Sequence, residues 1–160
     1  MREGVTAGRG LQLGTLSDVQ GFSRFGDFVK LHSNVHVGQG ARLGSYIWIF
    51  PYVVLTNDPH PPSETLVGPQ LSDFCVIATM STILPGVHVG EGALVGAMTL
   101  VRGDVPADGI CVGVPGKVIG KTDKIKFKDT GAPAYPWRRH FHRGYPADVV
   151  ARWKAEFETD

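Results

Sequence analysis

The sequence is poor in several features that sort proteins into classes. It holds only two cysteines, Cys75 and Cys111, with no metal-type pairing, so a disulfide framework is not expected and a reducing compartment is. No stretch approaches the ~18 apolar residues of a membrane span. The opening MREGVTAGRG lacks the apolar segment of a signal peptide, and a soluble, cytoplasmic protein is the expectation. The formal net charge is only +1, so the chain as a whole makes no electrostatic case for nucleic acid or a membrane surface. What it has in plenty is glycine, 21 residues, and proline, 11. Neither follows a three-residue period, which excludes collagen. Such a composition suits a chain that turns corners often, because corners call for positive φ.

The corners are regularly spaced. From Ile77 an aliphatic residue returns at every sixth position: Ile83, Val89, Val95 and Val101. The same beat runs back through Leu55, Ile49, Leu43, Val37, Leu31, Phe25 and Val19 to Leu13. Two residues before each beat stands a companion that is often slim, as at Ser23, Ala41, Cys75, Ser81, Ala93 and Thr99. Period six is neither helical nor a plain strand alternation; it marks a hexapeptide solenoid with three six-residue faces to a coil. Roughly five coils are expected.

The register breaks once. Sixteen residues separate Leu55 from the next beat, Leu71, where six suffice. About ten residues are therefore extruded within 56–70, in the polar and proline-rich TNDPHPPSETLVGPQ, as befits an ordered surface loop. The residue before each inward beat points outward. Face one then presents Gln12, Lys30, Trp48, Val76 and Leu94; face two presents Asp18, His36, Val54, Thr82 and Leu100; face three presents Arg24, Arg42, Gln70 and His88. Faces one and two turn apolar from Trp48 and Val54 onward. An exposed apolar stripe of that extent predicts packing against neighbouring subunits in a closed cyclic oligomer.

After Val101 the pattern loosens and the solenoid ends near residue 120. KTDKIKFK, 121–128, reads as a short basic strand or exposed extension. Pro146 and the following ADVVARWKAEFE predict an amphipathic helix over about 146–158, placed to cap the solenoid's end. The chain thus divides into a solenoid domain, 1–120, and a C-terminal extension, 121–160. The basic and aromatic run Trp137–Arg143 has the composition of a nucleic-acid patch, but the near-neutral charge favours packing on the solenoid and contact with substrate phosphates.

Ile83-Pro85-Gly86, Gly90-Gly92, Val95-Gly96-Ala97, Asp104-Val105-Pro106 and Gly113-Val114-Pro115-Gly116-Lys117 together resemble the closing segment of the hexapeptide-repeat acyltransferases. Ile49–Val53 running into Leu55-Thr56-Asn57-Asp58 resembles the same family's approach to its active-site loop. The match spans about 13–120 and is nearest to the members that N-acetylate amino groups on nucleotide-linked sugars. The resemblance implies an all-β solenoid of the left-handed parallel β-helix kind. It also implies a homotrimer and acetyl-CoA in a groove between subunits, with no metal required. Turn amides around Ala78 and Ala97 would meet the thioester and pantetheine, and the loop Gly113, Val114, Pro115, Gly116 and Lys117 would lie by the adenine end. Ala78 and Met98 stand where the family usually has glycine, and Gly116 where it usually has alanine.

The extruded loop carries the candidate chemistry. Acyl transfer from a thioester needs the attacking nitrogen or oxygen deprotonated, and a histidine suits that at neutral pH. His60 lies in the loop, where related acetyltransferases place their base. Asp58 and Asn57 are candidates to orient the imidazole or the acceptor, although Asn-Asp-Pro is also ordinary turn chemistry. Arg42, His88 and Arg24 form a column suited to an anionic substrate group, a phosphate above all. His32 and His36, four apart but divided by a corner, read as ordinary surface residues. The expected reaction is direct acetyl transfer from acetyl-CoA to a sugar amine. Alternatives are O-acetylation of a sugar, a non-catalytic assembly solenoid, and a zinc site of the γ-class carbonic anhydrase kind, whose histidine spacing is not met here.

Overall fold

The structure, a computed structural model, describes residues 1–135 and 147–157. Two-residue strands alternate with tight corners, so that every third strand stacks in parallel on the one a coil earlier. Face one contains Gln12–Leu13, Lys30–Leu31, Trp48–Ile49, Val76–Ile77, Leu94–Val95 and Gly109–Val112, closed by the antiparallel strand Lys117–Lys121. Face two contains Asp18–Val19, His36–Val37, Val54–Leu55, Thr82–Ile83 and Leu100–Val101. Face three contains Thr6–Ala7, Arg24–Phe25, Arg42–Leu43, Gln70–Leu71 and His88–Val89. This is the solenoid expected from the six-residue beat, a left-handed parallel β-helix as the resemblance implies, with every predicted outward column in register.

The inward residues form one continuous core. Val19, Val37, Leu55 and Ile83 are wholly buried and stack along face two. The slim positions let polar side chains into the core because each finds a backbone partner: Ser23 Oγ donates to the Gly38 carbonyl at 3.1 Å and Ser81 Oγ to Gly96 at 2.7 Å. Cys75 sits in the same kind of position, with Sγ 3.1 Å from the Gly90 carbonyl. At each corner the second turn residue adopts a left-handed backbone even when it is not glycine, as at Tyr52 (φ 62°), Met80 (φ 61°) and Met98 (φ 57°). The first turn residue has no need of its amide, which is why Pro51 and Pro85 are accepted there.

The structure differs from the sequence reading in four respects. The helix has about six coils, because pairing begins at Thr6–Ala7, one coil-third before Leu13, where small exposed residues hide the beat. The outward apolar residues are already partly covered: Val76 is 6% exposed, and Trp48, Val54, Leu94 and Leu100 are half-buried. Successive outward side chains lie one strand spacing apart and shield one another, and Lys30 Nζ rests 4.6 Å from the Trp48 ring centre. The corner between faces one and two is instead the place where a column of apolar side chains, Leu16, Tyr52, Met80 and Met98, stands exposed. Finally, of the two readings of 121–128 the strand gives way to a 3₁₀ turn, Thr122–Lys124, and a single bridge from Lys126 to Pro133, with the lysines exposed as the other reading expected. Ala147–Phe157 is helical as expected, and the run Trp137–Arg143 lies outside the described residues.

Candidate active site

The extruded loop is anchored at both ends. Thr56 donates its amide and its hydroxyl to the Ile83 carbonyl, at 3.0 and 2.9 Å. The Val67 amide donates to the Asn57 carbonyl at 2.7 Å, and the Gly86 amide to Val67 at 3.1 Å. A β-carbon on Gly68 would lie 2.4 Å from backbone atoms of Gly40 and Ala41, so only glycine brings the returning chain this close. The 14 residues Thr56–Pro69 thus leave from face two and rejoin on face three without disturbing the stack.

Inside the loop Asp58 acts as a staple. Its Oδ2 accepts the Ser63 amide at 3.2 Å, and Ser63 Oγ in turn accepts the His60 amide at 2.9 Å. Hydrogen bonding from Ser63, aided by the nearby His60, holds the Asp58 carboxyl below its ordinary pKa, so it is ionised at neutral pH. Among the described residues its Oδ1 is buried and has no hydrogen-bond partner.

The loop overhangs a concavity of about 450 Å³ lined by Asn57, Asp58, Thr56, Leu84, Pro85 and, from face two, His36. Of the predicted catalytic residues, Asn57 and Asp58 come together here. His60 is exposed on the loop and does not line the concavity. His36, which the sequence reading set aside, does line it. Its Nδ1 lies 3.4 Å from Asp18 Oδ2, and Asp18 Oδ1 lies 3.6 Å from Arg2 Nε. The signal was present in the outward column of face two, where a register of one coil stacks Asp18 directly beside His36.

At the far end of the same face stand the residues expected to receive a cofactor. The Leu100 amide donates to the Gly113 carbonyl at 3.0 Å, and the Gly116 amide donates to the Leu100 carbonyl at 2.8 Å. The loop Gly113–Lys117 is thereby laid against the last strand of face two, with Gly113 also donating to Thr99 Oγ1 at 3.3 Å. A β-carbon on Gly116 would meet the Cys111 sulfur and the Leu100 oxygen at 2.9 Å, which accounts for glycine at a position where alanine was expected. At the neighbouring corner the Ala78 amide is consumed by the Val95 carbonyl at 2.9 Å. The amides of Thr79 and Ala97, first residues of their turns, have no acceptor among the described residues. Of the turn amides expected around Ala78 and Ala97, those of Thr79 and Ala97 are left open, and that of Ala78 itself is spent in the ladder.

Arg24, Arg42 and His88 are brought together, but on face three, across the loop's corner from the His36 concavity. They line a smaller depression of about 220 Å³ with Gln70 and Ser72. His88 is held by Ser72 Oγ, 2.9 Å from Nε2, and its backbone amide donates to Asp104 Oδ1 at 2.8 Å. Among the described residues no group of three or more His, Cys, Asp or Glu side chains is arranged to hold a metal.

No family model matches the sequence. Comparison with characterised proteins finds 38% identity over 93 residues with a 2,3,4,5-tetrahydropyridine-2,6-dicarboxylate N-acetyltransferase of Staphylococcus aureus, covering 58% of this chain and 33% of that protein. The chain therefore spans about a third of the length of the curated relatives it matches. A perosamine N-acetyltransferase of Caulobacter crescentus, solved with CoA and GDP-perosamine, superposes with a TM-score of 0.66 at 24% identity, over 74% of this chain and 51% of that one. An acetyltransferase-like protein of Bacillus cereus superposes with a TM-score of 0.64 at 20% identity, over 95% of this chain and 78% of that one.

Proposed function

We propose that this chain belongs with the hexapeptide-repeat, left-handed β-helix acetyltransferases it resembles and moves an acetyl group from acetyl-CoA directly to an amino group, one borne by a nucleotide-linked sugar. One observation carries the reading. Face two has a donor end, where the Gly113–Lys117 loop lies on Leu100 beside the open amides of Thr79 and Ala97, and an acceptor end, where Asn57 and Asp58 overhang a concavity.

The chemistry follows from that polarity. The open turn amides are placed to accept the charge that grows on the thioester oxygen as nitrogen attacks. The Asn57 side chain, whose Nδ2 is 3.5 Å from the Gln39 carbonyl, and the ionised Asp58 would hold the acceptor's amino group. An imidazole takes its proton, and His60 and His36 are the two near this loop. Arg24, Arg42 and His88 would bind phosphates of an acceptor that reaches around the loop. The working form is a homotrimer in which face one of each subunit meets face two of the next. The resemblance to nitrogen-acetylating enzymes favours an amine acceptor over a hydroxyl.

The test is to incubate the chain with acetyl-CoA and a panel of nucleotide-linked amino sugars and simple amines, following free thiol, with calorimetry for CoA. CoA binding and acceptor-dependent thiol release are expected. Neither binding nor release with any acceptor would overturn the reading.

A further inference from the structure

We propose that His36 is the general base of this site and that Asp18 is its positioning residue, acting as a dyad on face two. The assignment rests on the acetyl-transfer reading above.

Three features support it. First, the stacking is built into the repeat: Asp18 and His36 are register partners on adjacent strands, so the carboxylate meets the imidazole without a special loop. Second, the contact is made through Nδ1, 3.4 Å from Asp18 Oδ2. An imidazole whose Nδ1 hydrogen faces a carboxylate presents its Nε2 lone pair on the other side, as a general base requires. At this distance the pair is a charge contact short of a hydrogen bond, and catalytic contacts of this kind commonly tighten only when substrate binds. Arg2 backs the carboxylate, with Nε 3.6 Å from Oδ1. Third, His36 lines the concavity that Asn57 and Asp58 overhang, whereas His60 does not. Among the described residues the charged and titratable groups around His36 are Asp18 on the preceding coil, Arg2 one coil before that, Asp58 across the concavity, and His60 beside Asp58. The neighbour on the following coil is the apolar Val54.

The step balances without a further reagent. The acceptor nitrogen's lone pair attacks the thioester carbonyl and forms the C–N bond. The excess proton on nitrogen passes to His36 Nε2. Collapse of the tetrahedral intermediate breaks the C–S bond and leaves the electron pair on sulfur. The proton then passes from His36, directly or through water, to give free CoA thiol.

Activity and a conservative rescue together test the assignment. His36→Gln is expected to lower kcat by about 10²–10⁴ with little change in acetyl-CoA affinity. Asp18→Asn is expected to lower it at least about tenfold, with KM for both substrates little changed. Asp18→Glu, which keeps the carboxylate, is expected to recover most of that loss, and a purely structural role for Asp18 would not separate the two variants. An active wild type whose His36→Gln variant keeps more than a third of its kcat, or an Asp18→Glu variant no more active than Asp18→Asn, overturns the dyad alone. A wild type silent with every acceptor, and without CoA binding, overturns the acetyl-transfer reading and the dyad with it.

Discussion

Leu13 and Ile77 hold the same place in the repeat, yet truncating them should have very different consequences. Both belong to the inward column Leu13, Leu31, Ile49, Ile77 and Val95 of face one. Ile77 is wholly buried, with Ile49 on one side and Val95 on the other. Leu13 lies on the last strand of its sheet, touches only Leu31 in register, and is 40% exposed. Ile77→Ala removes three carbons from a site that cannot collapse, because the backbone on both sides is fixed by ladder hydrogen bonds. The loss expected is about 3–4 kcal/mol from transfer and cavity terms together. For a chain of this size each kcal/mol is worth about 2–4 °C in Tm, so the midpoint should fall by roughly 6–16 °C. Leu13→Ala removes atoms that are already half in water and leaves no cavity, so the cost should stay below about 1 kcal/mol, a shift of less than ~4 °C. Thermal melts followed by circular dichroism at one protein concentration make the comparison. Equal shifts, or an Ile77→Ala shift of under ~4 °C, would refute the reasoning that stacking on both sides, and not the six-residue pattern by itself, sets the energy of a core position.

Two further outcomes are expected. Trp48→Glu places a charge on the half-buried outward column of face one, and light scattering should show the proposed trimer falling to monomers; an unchanged assembly would refute the proposed pairing of faces one and two. Burial pushes the Cys75 thiol up to about 12, so at about pH 8 it stays protonated and unreactive; a thiol reagent should reach it only after denaturation, and full labelling of the native chain within minutes would count against its core position.

The fold was legible because burial imposed a period on the sequence. The beat at Leu31, Ile49, Ile77 and Val95 gave strand positions, outward columns and the site of the loop, and each of those columns stands in the structure as read. The first coil was not legible, since Thr6 and Ala7 face open solvent and carry no burial signal. The site was legible only in part. Asn57 and Asp58 follow from the break in register, which marks them whatever the loop's conformation. The place of His60 depends on turns inside the loop, set by Asp58 and Ser63 hydrogen bonds that no periodicity encodes. His36 was overlooked because it was paired in sequence with His32, across a corner, when its physical partner is Asp18, one coil away. The choice between the Ala78 and Thr79 amides likewise turns on which corner residue spends its hydrogen in the ladder.

The way the extruded loop is joined to the coils has a consequence for how this protein can change. On face three the strand Gln70–Leu71 pairs with Arg42–Leu43 before it and His88–Val89 after it, in the same register that a six-residue connection would give. The ten surplus residues supply no rung and no core side chain to the stack. They behave as a cassette clipped into one corner, and closure entropy grows only slowly with the length of such an insertion, about 0.6 kcal/mol for each doubling. Under the proposed function, acceptor choice can therefore drift through substitutions, insertions and deletions in Thr56–Pro69, while the coils proposed to hold acetyl-CoA stay in register.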